Sequence, residues 1–174
     1  MSGNKQALPG LISSLPEDVN LVDLEAAAQK LVSANLTMRF NFGNAPFDRD
    51  FSKEGFDLES DVEPLTGELD LDVVSFTKEG ETPISGEEMI KRSIQLGGHH
   101  SQRDAEKLLK ENAKIPKEFR NFHLVFTGTV WFGRRTRERY VPYLHWKVDR
   151  CYMHLSGLGN AWYPRVRLLV PRKK

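Results

Sequence analysis

The chain has 174 residues, 39% hydrophobic and 28% charged, with a single cysteine and a net charge of +1. That length buries a core without metal or disulfide staples, and one cysteine excludes an intramolecular disulfide framework. No apolar run approaches the ~18–20 residues of a membrane span, and MSGNKQALPGLISSLPEDV lacks the basic and long apolar regions of a signal peptide. The expected setting is the cytoplasm, of a host cell if the gene is phage-borne or carried on a mobile element, with no membrane partner.

The near-neutral total hides an asymmetry. Residues 1–84 carry 6 Lys and Arg against 16 Asp and Glu, whereas residues 85–174 carry 19 against 8. Such a split implies either recognition of a charged partner or mutual neutralisation of the two halves in the fold.

Residues 1–20 contain Pro9, Gly10 and Pro16 and read as an irregular arm. The alanine-rich stretch 21–34 (LVDLEAAAQKLVSA) predicts a helix with Asn20 as N-cap and Leu21, Leu24 and Leu31 on one face. Residues 36–42 (LTMRFNF) alternate apolar and polar, the pattern of a half-buried strand. A long acidic loop is expected over 43–67, with Phe47, Phe51, Phe56 and Leu58 either pinning it to the body or anchoring a partner. The second strand, 68–76 (ELDLDVVSF), sets Glu68, Asp70 and Asp72 on one face. Those acids read as solvated, with a hard-cation site as the sharper alternative.

Ser85 and Glu88 form a capping-box pattern that opens a helix over 87–96, closed by Gly97-Gly98. Ser101 and Asp104 repeat the pattern for a second helix, which Ile115-Pro116 stops. The pair reads as a helical hairpin packed on the sheet. The alternative is a helix-turn-helix, with Gln102 and Arg103 at base edges and Lys107 and Lys110 on phosphates. His99 and His100 are adjacent, a spacing unsuited to ligating one ion.

The basic C-terminal part, 117–174, holds all three tryptophans and all four tyrosines. It predicts a four-stranded β-meander, with strands over 122–132, 140–146, 151–156 and 161–170. The expected architecture is a single α+β domain, 1–174. Its antiparallel, curled sheet or small barrel is built on that meander, with about three helices packed against it.

No glycine-rich phosphate loop, nucleophile elbow, CxxC or EF-hand pattern occurs. His145 and His154 fall on neighbouring strands and could face each other as a metal-binding or proton-transfer pair, with Asp149 the one acid near them in sequence. Satisfied sheet histidines are the commoner outcome, and Cys151 inside a strand is a buried thiol before it is a nucleophile. The sequence therefore points to no catalytic residue, no cofactor and no metal.

Arginine is the stronger signal. The hairpin tip GRRTRER presents Arg134, Arg135, Arg137 and Arg139; alternation on the last strand groups Tyr163, Arg165 and Arg167; Arg172, Lys173 and Lys174 close the chain. Guanidinium groups beside aromatic rings suit a surface that tracks phosphates and stacks bases. The expectation is a non-catalytic binding module for nucleic acid. The alternative is a protein-interaction or inhibitor module that docks through the 43–67 loop or the hairpin.

Overall fold

The alternation in RFNF and GELDLDVV becomes an antiparallel pair, β1 (Arg39–Phe42) and β3 (Gly67–Val74), in the computed structural model, which describes residues 36–81 and 83–173. The chain divides into two compact units, Met1–Leu36 and Thr37–Lys174, and the architecture that follows is that of the second. The expected arm and the helix over 21–34 lie outside the described residues, as does Lys174.

Period two is obeyed on β1, where Phe40 and Phe42 are buried and Arg39 and Asn41 are exposed. The acids of β3 do not simply face water. Arg39 grips Asp70 with two bonds, 2.6 and 3.0 Å, and Arg172 meets Asp72 at 2.7 Å. Between these strands the expected loop is largely structured. A 3₁₀ turn (Phe51–Glu54) leads into β2 (Phe56–Asp61), which pairs antiparallel with β5 (Thr129–Gly133) and carries a bulge at Glu59. Its acidic side chains concealed a strand because β2 lies at an edge, with most of its residues exposed.

The remaining strands are β4 (His123–Val125), β6 (Arg139–Lys147), β7 (Arg150–Gly157) and β8 (Val166–Pro171). The eight-stranded sheet runs β1-β3-β8-β4-β6-β5-β2, with β7 also on β6. It is antiparallel except for the β4–β8 pair, and it does not close, so no barrel forms. Two expectations about the meander change. First, FHLVFTGTVWF is not one strand. β4 and β5 share one edge of β6, and Phe126-Thr127-Gly128 interrupts them. Gly128 is the reason. It donates to the His100 carbonyl at 2.8 Å and accepts from Val62 N at 3.0 Å, and a Cβ there would lie 2.5 Å from Val62 Cγ2. Only glycine lets three segments meet that closely.

Second, β8 does not extend the meander beside β7. Trp162 and Ile84 exchange backbone bonds of 3.0 and 3.2 Å, and the chain then enters the sheet between β4 and β3. Tyr163 and Arg165 consequently sit in the turn before β8 rather than on the strand.

Two α-helices occur among the described residues, both foreseen: α1 (Gly86–Leu96), capped by Ser85, and α2 (Gln102–Lys110), opened by the Ser101–Asp104 capping box. They do not form a hairpin on one face. Met89 of α1 packs with Val125, Val130, Val141, Trp162 and Leu168, whereas α2 lies against β1, β6 and β7 and bonds Trp131. Val130 and its neighbour Trp131 point to opposite sides of β5, so α1 and α2 cover opposite faces. The connection between the helices lies against Gly128, through the bond from its N–H to the His100 carbonyl.

Candidate functional site

Three groups of polar residues compete for a functional role, and burial separates them. The first lies at the N-terminus of α2. Gln102 is fully buried; its Oε1 accepts from Trp131 Nε1 at 2.8 Å, while its Nε2 donates to Arg49 O at 2.7 Å and Glu106 Oε1 at 2.8 Å. Glu106 accepts the backbone amides of Asp48 and Arg49, and Asp104 those of Leu65 and Ser101. Arg103 bonds Asp61 at 2.6 Å, Asn44 and Val62 O. A turn of helix rich in polar side chains thus serves as the clamp that holds segment 44–65 onto the sheet. Phe47 and Phe51 complete the attachment, with ring centroids 5.8 and 5.6 Å from Trp131. With Gln102 and Arg103 so engaged, the helix-turn-helix alternative has no reading residues left. Burial pushes the Asp104 carboxyl up to about 6.

The second group is the hairpin between β5 and β6. It forms as expected, with Gly133 N donating to Glu138 O and Arg137 in the left-handed region at φ 60°. Several of its cations are met by acids from other segments. Arg134 faces Asp57 at 3.4 Å; Arg139 faces Glu59 at 3.6 Å and also pairs with Glu87. Arg137 lies over the Phe132 ring at 5.0 Å, and Arg135 is exposed with no ion pair among the described residues. Arg172 pairs with Asp72, and Lys173 is exposed. Arg167 is partly buried, its guanidinium 4.6 Å over Phe122 and bonded to Pro164 O, so burial lowers its pKa. Six ion pairs among the described residues join the acidic to the basic half: Glu81–Arg92, Asp61–Arg103, Asp48–Lys110, Asp57–Arg134, Glu59–Arg139 and Asp72–Arg172. Much of the charge asymmetry is consumed inside the fold.

The third group emerges only from strand register. Tyr143 and His145 on β6 stand opposite His154 and Tyr152 on β7, and His123 on β4 lies across β6 from them. These five rings form a continuous layer. Centroids are 5.0 Å apart for His145–His154, 5.6 Å for His123–His145, 5.5 Å for Tyr143–His145 and 5.8 Å for His145–Tyr152. They share parity with Val125 and Val141, so they continue the face that α1 covers, with Tyr143 packed against that core. Tyr152 is 37% and Tyr163 55% exposed. A recess of about 430 Å³ beside the layer is lined by His123, Tyr143, Ser156, Asn160, Trp162 and Tyr163.

Electrostatics sets this layer apart. Arg165 makes no ion pair among the described residues; its Nε donates to Asn121 O at 3.2 Å. The charged groups bearing on His123 are Arg165 and His145, and those on His145 are His154, Arg165 and Lys147. Burial, then these like charges, lower both imidazoles below their ordinary value. No set of three or more His, Cys, Asp or Glu among the described residues is arranged to hold a metal ion. Cys151, half-buried behind this sheet, has its thiol pushed up to about 12 by burial and carries no thiolate at neutral pH.

Of the residues singled out in the sequence, Tyr163 and Arg165 lie near this layer, and His145 and His154 belong to it. His123, Tyr143 and Tyr152 were missed. The available signal was the repeated aromatic–x–His spacing in Tyr143-Leu144-His145 and Tyr152-Met153-His154, which puts four polar rings on one side of two adjacent strands. Compared with known proteins, the chain matches no family model, no curated protein and no solved structure. No helix among the described residues is long and apolar enough to cross a membrane.

Proposed function

We propose that this protein is a non-catalytic binding module for single-stranded nucleic acid, and that the ring layer on β4, β6 and β7 is its main contact surface. The observation that carries the reading is a set of five adjacent rings on an open sheet face, in which the charged groups acting on His123 and His145, namely Arg165, Lys147 and neighbouring imidazoles, are all basic. Rings of this kind stack bases whatever their sequence, and uncompensated cations attract phosphates. Arg135 and Arg137, which have no acid partner among the described residues, together with Lys173, extend the basic surface; Arg134, Arg139 and Arg172 contribute less because carboxylates already meet them. The cytoplasm is the compartment we assign to it, on the single cysteine.

Fluorescence anisotropy with a labelled single-stranded oligonucleotide tests the proposal. Affinity is expected to fall steeply with salt, because bound counterions are released when phosphates are neutralised. Tyr152→Ala and Tyr163→Ala should each weaken binding by roughly tenfold, about what loss of one base–ring stack costs. Salt-insensitive binding, or none to either DNA or RNA, rejects the reading. Recovery of one stoichiometric protein partner in a nuclease-treated pull-down would favour the interaction-module alternative instead.

A further inference from the structure

The same surface contains three imidazoles with no acid among them. His123, His145 and His154 come from three strands that are neighbours in the sheet, and His145 stands between the other two, 5.6 and 5.0 Å away by ring centroid. From β6 the cluster meets Tyr143 and Lys147, from β7 Tyr152, and from the turn before β8 Arg165. Asp149, on the β6–β7 turn, is the nearest acid in sequence, and it makes no ion pair with any described residue. Each imidazole that acquires a proton therefore adds to an already cationic patch, which an empty surface resists and a bound polyanion relieves.

We infer that His123, His145 and His154, with Arg165 beside them, form a phosphate site that takes up protons as it fills. The inference rests on the nucleic-acid reading for its ligand and goes beyond it in assigning the groups that hold the phosphates and the condition that controls them. Division of labour follows from the chemistry. The exposed Tyr152 and Tyr163 rings offer apolar faces to bases, whereas protonated imidazoles donate two N–H groups each to phosphate oxygens. No covalent step is involved: each proton comes from solvent, and a neutral imidazole becomes an imidazolium paired with a phosphate oxygen. By linkage, a ligand that draws protons onto the site binds more tightly where protons are abundant. Burial and like charge keep His123 and His145 neutral in the free protein at neutral pH, so the proton uptake is there to be measured.

The test uses the full chain and two probes. With a single-stranded oligonucleotide of roughly 12 nucleotides, affinity should be at least about tenfold tighter at about pH 5.5 than at about pH 7.5 at fixed ionic strength. Calorimetry in two buffers of different ionisation enthalpy should report a net gain of protons. The combined His123→Asn, His145→Asn and His154→Asn variant should bind with the pH dependence flattened. In parallel, the imidazole Cε1–H resonances of the native protein are followed through a pH titration with and without inorganic pyrophosphate, a measurement that needs no variant to fold. Pyrophosphate should move the titration of His123 and His145 to higher pH and leave His99 and His100 unmoved. Oligonucleotide binding whose pH dependence survives the triple substitution overturns this inference and leaves the nucleic-acid reading intact. Ring titrations shifted by pyrophosphate without any oligonucleotide binding uphold the site and reject that reading. Neither response rejects both.

Discussion

One sheet carries two polar assemblies on opposite faces, and they differ in whether their hydrogen bonds and charges are already spent. Under α2, Gln102, Arg103, Asp104 and Glu106 are closed off by Trp131, Asp61 and backbone amides of the 44–65 segment. On the α1 side, His123 and His145 face rings and like charge, and Arg165 donates to the Asn121 carbonyl without an ion pair among the described residues. Buried polar groups that satisfy one another fix a unique arrangement of the chain, since breaking any one strands its partners away from water. Cations left without a counter-ion at a surface do the reverse: they hold nothing in place and remain available to a ligand. The arginine hairpin lies between these extremes, half cancelled by Asp57, Glu59 and Glu87.

The sharpest way to break this contrast is to cut the inner assembly. Gln102→Leu removes the acceptor of Trp131 Nε1 and the donor to Arg49 O, and should cost about 3 kcal/mol, read as a lower urea midpoint. Oligonucleotide affinity of the folded variant should not change; a large change would mean the two faces are coupled.

Asp104 gives the inner assembly a pH signature. Its folded carboxyl titrates at about 6, above the value of 3.8 for an unfolded aspartate, so its contribution is greatest below the unfolded value and is lost as pH rises through about 6. The loss amounts to roughly 2 kcal/mol between pH 4 and pH 7. His99 and His100, whose pKa values burial lowers, act in the opposite sense as pH falls. The quantity to measure is therefore the stability of the native protein minus that of Asp104→Asn, which should rise by roughly 2 kcal/mol from pH 7 to pH 4 and would stay flat if the carboxyl were not perturbed.

The hairpin can be divided by the same criterion. Removing the acid-partnered Arg134 and Arg139 should lower stability by up to about 1 kcal/mol and alter the salt dependence of binding little. Removing Arg135 and Arg137 should leave the melting temperature in place and flatten that salt dependence. Equal behaviour of the two pairs would show that the local carboxylates do not decide which cations act.

A smaller effect is expected at the β6–β7 turn. Val148, 90% exposed, has φ 57°, a region that branched side chains occupy at a cost. Val148→Gly should raise stability by up to about 1 kcal/mol, measured by urea denaturation, with ring-face binding unchanged.

Several parts of this molecule were legible residue by residue. The Ser85 and Ser101 caps, the alternation of β1 and β3, and the turns flanking β6 depend on neighbours a few positions away, and they formed where the pattern put them. The strand β2 and its clamp were hidden, because β2 pairs with the distant β5, and the amides of Arg49 and Leu65 and the carboxylate of Asp61 find partners about 40 to 60 residues further on, in α2. The break at Gly128 was equally invisible, since what forbids a side chain there is the carbonyl of His100 and the side chain of Val62.

Charge shows the division most plainly. Amino-acid order alone established an acidic first half and a basic second half, but it could not say which arginine would meet which carboxylate. Folding decided that by pairing Arg134, Arg139 and Arg172 with acids of the first half and by leaving Arg165 beside His123 and His145, which β4 and β6 bring together. Electrostatic interactions in water fade within about 10 Å, so the free charges of a chain are chosen by distances that only its tertiary structure sets.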